Sequence, residues 1–171
     1  MRSSSKIRID ERRIEEHRID RNRFVNHRGM LMRLQLALNV DDLETAITFY
    51  SKLFDTEPYK VKDGYANWEV AQPPLKLVVF ESSDAEPGSI NYLGVEVDSA
   101  DEVVAAEARL SAAGLQTTGI DDTICCFAEK VETWVLSPEG QRWEWYVKQA
   151  DHETQRENLV IESRDGTPCC S

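Results

Sequence analysis

The sequence contains no long hydrophobic run. Its longest uninterrupted stretch of aliphatic and aromatic residues extends from Leu77 to Phe80, whereas a membrane-spanning helix needs roughly 20 apolar residues. The basic start of the chain is not followed by the apolar segment of a secretory signal peptide. We therefore expect a protein that does not cross a membrane and that resides in the cytoplasm, where its four cysteines are thiols.

The short signatures of nucleotide-binding and hydrolytic sites are also missing. There is no Gly-rich phosphate loop, no dinucleotide fingerprint and no Gly-x-Ser-x-Gly nucleophile turn. Histidine is scarce, with three residues in 171. A cysteine–histidine hydrolase would need His152 close to Cys125 or Cys126, and the sequence spacing does not support that arrangement.

Negative charge dominates the chain except in its first segment. Residues 1–29 carry 9 basic and 5 acidic side chains, a net of +4, so the remaining 11 basic and 26 acidic side chains give residues 30–171 a net of −15. This acidic part should repel nucleic acid and anionic lipid. The first segment has too few apolar residues to dock firmly, and we predict a disordered or weakly helical basic extension.

Hydrophobic periodicity predicts the order strand, helix, strand, strand from residue 33 onward. The segment RLQLALNV alternates apolar residues at Leu34, Leu36 and Leu38, as a half-buried strand does. Asp41 or Asp42 caps the following helix, whose apolar stripe comprises Leu43, Ala46, Ile47, Tyr50, Leu53 and Phe54. The segments YANWEV and LKLVVFE are predicted to be strands.

The same order then appears a second time. The segment SINYLGVEVD predicts a strand, and Ser99 caps a helix that ends at Gly114. Residues 115–118, a loop DDTICC and the strands FAEKVETWVL and QRWEWYVK follow. We predict an α+β fold in which two βαβββ modules, at about 32–82 and 89–149, form one curved mixed sheet in a domain of residues 30–150. Residues 151–171 are predicted to form a flexible tail.

Three polar residues on predicted strands are candidate metal ligands. Aligning the first strands of the two modules places Gln35 opposite Tyr92, and Glu144 lies between two tryptophans in the last strand. A carboxylate on the concave face of a sheet suits Fe(II), Mn(II) or another divalent cation. The alternative for each residue is an ordinary solvent-facing position.

The adjacent cysteines Cys125 and Cys126 are the second candidate site. Neighbouring Cα atoms are about 3.8 Å apart, below the usual span of a disulfide, so the pair is expected to remain as thiols. A regular strand would point them to opposite faces, so a shared ligand requires a loop. Two thiolates suit trivalent arsenic, Cd(II) or Zn(II), and the alternative is that both are small core residues. Cys169 and Cys170, near the chain end, are predicted to be auxiliary thiols.

Several motifs resemble one known family. They lie between residues 32 and 149: RLQLALNVDDLETAITFYSKLF, GYAN, PPLKLVVFE, LGVEV, CCFA and WVLSPEGQRWEWY. Together they resemble the vicinal oxygen chelate superfamily, which includes glyoxalases, extradiol dioxygenases and bleomycin-resistance proteins. Within it they resemble most the ArsI/CadI group of Fe(II)-dependent carbon–arsenic lyases and cadmium-induced proteins.

The resemblance implies a mononuclear Fe(II) site in which Gln35 matches the glutamine ligand and Glu144 the carboxylate ligand. Tyr92 stands where the family has histidine, either as a replacement ligand or as a packed aromatic that disables the site. Cys125 and Cys126 would act as catalytic thiols that bind the substrate, a trivalent organoarsenical.

The expected function is therefore a dioxygenase-type lyase that uses dioxygen to cleave the carbon–arsenic bond, in arsenic resistance. The alternative, favoured by Tyr92, is a non-catalytic protein that binds arsenite or Cd(II). In either case we expect a monomer or homodimer that binds small molecules.

Overall fold

The computed structural model describes residues 32–153 and contains two helices and eight strands. The elements of the first module are β1 (Arg33–Val40), α1 (Leu43–Phe54), β2 (Lys60–Lys62), β3 (Tyr65–Val70) and β4 (Leu75–Glu81). Those of the second are β5 (Ile90–Glu96), α2 (Ala100–Ala112), β6 (Asp121–Cys125), β7 (Ala128–Leu136) and β8 (Arg142–Asp151). The predicted α+β fold with two βαβββ modules is confirmed.

All eight strands form one mixed sheet that curls into a half-barrel, which we call the bowl. The strand order is β2-β3-β4-β1-β5-β8-β7-β6, so the two modules meet where β1 pairs with β5 in antiparallel fashion. Within each module the first and last strands pair in parallel. Helix α1 contacts β3 and β4, and α2 contacts β7 and β8. Within the described residues, neither helix combines the length and apolar character that spanning a bilayer requires.

The period of two in strand β3 separates the helix side of the sheet from the inside of the bowl. Ala66, Trp68 and Val70 belong to the apolar cluster that includes Ala46 of α1. Their neighbours Tyr65 and Asn67 line the cavity on the other face. Because successive side chains of a strand point to opposite faces, one strand supplies both the core beneath the helix and the wall of the bowl.

Capping residues set the start of both helices as predicted. The Asp42 carboxylate accepts a hydrogen bond from Thr45 N at 2.6 Å, and the Ser99 hydroxyl accepts one from Glu102 N at 3.4 Å. Each satisfies a backbone N–H that has no partner within the helix. One member of the predicted apolar stripe differs: Leu53 is 58% exposed, because the part of α1 that faces β3 and β4 is narrower than the stripe.

The segment before the cysteines is a strand rather than the predicted loop. Residues Asp121–Cys125 form β6, in which Thr123 pairs with Lys130 and Ile124 with Glu129. Two successive β-branched residues favour extended backbone. The loop that the cysteine pair requires is instead a turn of two residues, Cys126 and Phe127, with φ of 54° and 61°. Two central residues with positive φ characterise the type I′ turn of a tight hairpin.

Candidate functional site

Gln35 and Glu144 meet on the inner face of the bowl. In the strand register Gln35 pairs with Gly94, and Gly94 pairs with Glu144, so the three residues form a row across β1, β5 and β8. Gln35 Nε2 donates to Glu144 Oε2 at 3.1 Å, and both side chains are buried. A Cβ atom on Gly94 would lie 3.2 Å from Gln35 Cβ and 3.4 Å from Glu144 Oε2. Because Gly94 has no Cβ atom, the side chains of Gln35 and Glu144 can approach each other, as the sequence predicted.

A buried lysine that the sequence analysis did not identify bonds to this carboxylate. Lys130 Nζ lies 2.6 Å from Glu144 Oε1 and 3.8 Å from Glu132 Oε2. It also lies 4.7 Å from the centre of the Tyr146 ring. Burial lowers the pKa of Lys130, but the negative charge of Glu144 and weaker neighbouring effects outweigh burial and hold the pKa well above its ordinary value. The side chain is therefore an ammonium ion inside the protein.

The second carboxyl group of the cluster, Glu132, holds a proton at neutral pH. Its Oε1 accepts a hydrogen bond from Trp134 Nε1 at 2.8 Å. Burial and the nearby charge of Glu144 raise the pKa of Glu132 to about 8. A neutral Glu132 leaves one ammonium and one carboxylate in the cluster, so the charges balance. We call the four residues Gln35, Lys130, Glu132 and Glu144 the floor of the bowl.

A second buried lysine is connected to the floor by hydrogen bonds through Tyr146. Lys76 Nζ donates to Tyr146 Oη at 3.2 Å, and Tyr146 Oη donates in turn to Gln35 Oε1. Burial lowers the pKa of Lys76 to about 8.

The sequence does contain signals for these residues. Lys76 is the single basic residue in the apolar strand LKLVVFE, Tyr146 follows Glu144 by two positions, and Lys130 and Glu132 are two positions apart in one strand. Side chains two apart share a face, so the spacing alone places the members of each pair on the same side of the sheet.

Tyr92 lies among aromatic and sulfur-containing side chains. Its ring meets the Trp134 ring edge-on with centroids 5.3 Å apart, and its hydroxyl donates to Cys126 Sγ at 3.8 Å. Burial raises the pKa of Tyr92 well above its ordinary value of 10. The phenol is therefore neutral and acts as a hydrogen-bond donor to sulfur.

The hairpin turn brings the two predicted cysteines to one place. Their sulfur atoms are 3.0 Å apart, and Cys126 lines the cavity together with Gln35, Tyr92 and Lys130. Both cysteines are buried. We call Cys125, Cys126 and Phe127 the sulfur turn. The positive φ angles at its tip place both side chains on one side, which a regular strand would not do.

The expectation that all four cysteines are thiols is wrong at Cys126, which is disulfide-bonded. The 3.0 Å between its sulfur and that of Cys125 is too long for a bond between these two neighbours. The prediction rested on the reducing state of the cytoplasm. It did not take into account that the turn places the Cys126 sulfur at the wall of the cavity. Cys169 and Cys170 lie outside the described residues, as does the predicted basic extension.

Ion pairs around Asp151 lie across the mouth of the bowl, and the pair with Lys60 joins the two modules. Asp151 pairs with Lys60 and, at 2.9 Å, with Lys148, and it accepts from Tyr59 Oη at 3.0 Å. Lys60 Nζ also donates to the carbonyl of Phe127 at 2.9 Å. We call Tyr59, Lys60, Lys148 and Asp151 the latch.

The space behind the latch is small. The cavity has a volume of about 320 Å³ when the solvent at its mouth is included, and the space enclosed by its side chains has room for about one water molecule. Entry of a larger ligand therefore requires the latch to open.

The residues on the floor do not fit a divalent iron ion. Fe(II) sites in oxygenases use imidazole and carboxylate ligands with open positions. Here the Gln35 carbonyl oxygen accepts from Tyr146, and the two Glu144 oxygens bond to Lys130 and Gln35. Tyr92 offers a neutral phenol that points to sulfur. Among residues 32–153, no three His, Cys, Asp or Glu side chains are grouped to hold a metal.

Comparison with known sequences and structures identifies relatives of two named kinds. The cadmium-induced protein CadI of Mycobacterium tuberculosis is 56% identical over 124 residues, covering 72% of this chain and 81% of that protein. The trivalent organoarsenical cleaving enzyme of Thermomonospora curvata is 44% identical over 141 residues, covering 82% of this chain and 89% of that enzyme.

Two solved structures of low sequence identity share the fold. The Mn(II)-bound glyoxalase from Novosphingobium aromaticivorans has a TM-score of 0.53 at 18% identity, covering 75% of this chain and 44% of that one. A mutant homoprotocatechuate 2,3-dioxygenase from Brevibacterium fuscum has a TM-score of 0.52 at 17% identity, covering 72% of this chain and 34% of that one. Residues 33–145 match the family described as Glyoxalase/Bleomycin resistance protein/Dioxygenase superfamily. This chain belongs to that superfamily, as its repeated βαβββ architecture and its motifs indicate.

Proposed function

We propose that this protein captures a trivalent arsenical or Cd(II) through the reduced sulfurs of Cys125 and Cys126. The observation that carries the proposal is the 3.0 Å distance between the two sulfur atoms at the cavity. Thiolates are the ligands that soft metal and metalloid ions prefer. Two sulfurs on the same side of a turn can bind one such ion without rearrangement of the backbone.

The surroundings of the sulfur turn support this chemistry. Tyr92 donates a hydrogen bond to Cys126 Sγ, and a donor to sulfur stabilises the thiolate form. Cys126 and Phe127 hold left-handed backbone conformations that cost non-glycine residues about 1–3 kcal/mol each. The rest of the hairpin maintains that strain, and the result is a fixed pair of adjacent sulfurs. The names of the two relatives, one induced by cadmium and one cleaving organoarsenicals, agree with a soft ligand.

Capture requires the Cys126 disulfide to be reduced first by a thiol or phosphine. Methylarsonous acid then exchanges its two hydroxyl groups for two cysteine sulfurs. Two As–O bonds break, two As–S bonds form, and two water molecules leave with the thiol protons. Arsenic remains trivalent throughout, so this step needs no redox metal.

The second candidate is the Fe(II)- and dioxygen-dependent cleavage of a carbon–arsenic bond. It is favoured by the convergence of Gln35 and Glu144 and by the 44% identity to the cleaving enzyme. It would require Lys130 to release Glu144 and a third ligand to replace the missing imidazole.

One experiment separates the two candidates. Protein reduced with a phosphine and then desalted is loaded with Fe(II) under argon, mixed with methylarsonous acid and exposed to air. Chromatography with mass-spectrometric detection of arsenic measures bound arsenic and released arsenite. We expect one bound arsenic per chain and no arsenite. Arsenite in excess of one per chain would establish cleavage and refute capture alone.

Matched cysteine variants assign the capture to the sulfur turn. Cys125→Ser and Cys126→Ser should each abolish stoichiometric binding, because one sulfur cannot chelate. Cys169→Ser/Cys170→Ser should retain one arsenic per chain, because it leaves the pair intact. Binding that follows Cys169 and Cys170 instead would place the ligand away from the bowl.

A further inference from the structure

We propose that the ammonium group of Lys130 is the resident cation of the bowl and occupies the place of a divalent metal ion beside Gln35 and Glu144. The floor then needs no metal ion, because its positive charge belongs to a lysine side chain of the protein. This inference does not rest on the proposed capture function, because it concerns different side chains and a different class of ligand.

The contacts of Lys130 are those expected of a bound cation. Its Nζ lies 2.6 Å from one carboxylate oxygen and 3.8 Å from a second carboxyl group, and it faces the Tyr146 ring at 4.7 Å. The side chains of Lys130, Glu132 and Glu144 are at most 2% exposed. The Glu144 carboxylate, the neutral carboxyl group of Glu132 and the face of the Tyr146 ring together surround the charge and replace its water shell.

The backbone of β7 directs this side chain inward. The pairing register between β7 and β8 shifts between Glu129 and Lys130. The extra residue of this irregularity is Gln149 of β8, whereas along β7 the period of two places Lys130 on the same face as Glu132. Lys130 then reaches Glu144 on the neighbouring strand, and Gln35 completes the arrangement by donating to the other oxygen of Glu144.

An ammonium ion at this position opposes the entry of a metal. A divalent ion bound to Glu144 would lie within a few ångströms of the Lys130 charge, in an interior of low dielectric where like charges repel strongly. Restoring an imidazole at position 92 would not by itself create a metal site. Removal of the lysine charge is the second requirement.

Titration with Mn(II) tests the inference. Mn(II) favours oxygen and imidazole over thiolate ligands, so we expect it not to bind at the sulfur turn. Free Mn(II) is followed by electron paramagnetic resonance in four proteins: the wild type, Tyr92→His, Tyr92→His/Lys130→Met and Tyr92→His/Lys76→Met. Lys76 is the matched control, because it is buried in the same bowl and its amine bonds to Tyr146 rather than to Glu144. Circular dichroism checks that each variant is folded.

We expect one Mn(II) site in Tyr92→His/Lys130→Met, at least about 100-fold tighter than in the other three proteins, since each tenfold corresponds to about 1.4 kcal/mol. Mn(II) should also raise the melting temperature of this variant alone. One tight site in the wild type or in Tyr92→His would overturn the proposal. So would a folded Lys130→Met double variant that gains no affinity.

The experiment includes a substitute variant and a separate measurement of arsenic binding. Should Lys130→Met not fold, Tyr92→His/Lys130→Gln takes its place, and the wild-type and Tyr92→His titrations decide without either variant. Arsenic capture by the wild type is measured separately, so failure of one proposal does not imply failure of the other.

Discussion

On the floor of the bowl, a buried ammonium lies 2.6 Å from Glu144, whereas at the sulfur turn two soft atoms lie 3.0 Å apart beside a neutral phenol. Both places face the same cavity. The floor contains oxygen atoms, which are hard donors, and Lys130 of the same chain supplies the positive charge that balances Glu144. The turn contains sulfur held by strained backbone. The comparison teaches that one bowl can hold two kinds of donor atom side by side, oxygen atoms balanced by a lysine at its floor and adjacent sulfur atoms at its rim.

The largest effect should follow from breaking the charge balance on the floor. Lys130→Met leaves Glu144 buried without its cation, which costs about 3–5 kcal/mol of unfolding free energy. Urea denaturation at neutral pH measures the loss. Lys130→Met/Glu144→Gln should regain most of it, because both charges are removed together. Lys148→Met, which breaks a more exposed pair with Asp151, should cost about 1 kcal/mol or less. A loss below about 1 kcal/mol for Lys130→Met would show that the floor does not depend on this ion pair.

The second prediction concerns pH and Lys76. Its pKa is about 8 in the fold and 10.5 in the unfolded chain, so the unfolded state binds more protons between these values and stability rises with pH there. The rise amounts to about 3 kcal/mol at about 1.4 kcal/mol per pKa unit. Urea unfolding of the wild type and Lys76→Met from about pH 7 to about pH 11 isolates this contribution as the difference between the two curves. A difference that does not change with pH would contradict a buried amine with a lowered pKa.

A third test concerns Gly94 of β5, which lies between Gln35 of β1 and Glu144 of β8. Gly94→Ala places a Cβ 3.2 Å from Gln35 Cβ, closer than most real contacts. Overpacking of this kind costs about 1–3 kcal/mol. The melting temperature should fall, and the sulfur turn should still bind one arsenic per chain. A fall in arsenic stoichiometry without loss of folding would show that floor and turn are coupled.

The smallest effect on stability is expected at the latch. Lys60→Met removes bonds to Asp151 and to the Phe127 carbonyl, at a cost of about 1 kcal/mol or less for a partly exposed pair. If the closed mouth weakens by about 1 kcal/mol, methylarsonous acid should bind the reduced protein about fivefold faster. Stopped-flow tyrosine and tryptophan fluorescence measures the rate. Lys62→Met, whose partner Glu153 is largely exposed, is the control and should bind at the wild-type rate.

Most of the architecture was predictable because it depends on local pattern. Alternating leucines located β1, and the serine and aspartate caps located both helices. The loop assigned before the cysteines was wrong, since the β-branched residues Thr123 and Ile124 form a strand that pairs with β7 across the two-residue turn. The candidate site was predictable only in part. Gln35 and Glu144 were recognised and meet, but Lys130 was overlooked because a single lysine on a strand usually faces solvent.

The sequence by itself determined the two βαβββ repeats, the polar residues on their inner strands and the adjacent sulfurs, because periodicity, capping and residue type are local properties. Only the tertiary structure decided which of these groups share a cavity. Curling of the sheet removes water from Lys130, Glu132 and Glu144 together, and the hairpin turn places two neighbouring sulfurs on one side. Burial and distance set the strength of charge interactions and the geometry of chelation, and neither quantity exists until distant strands are brought together.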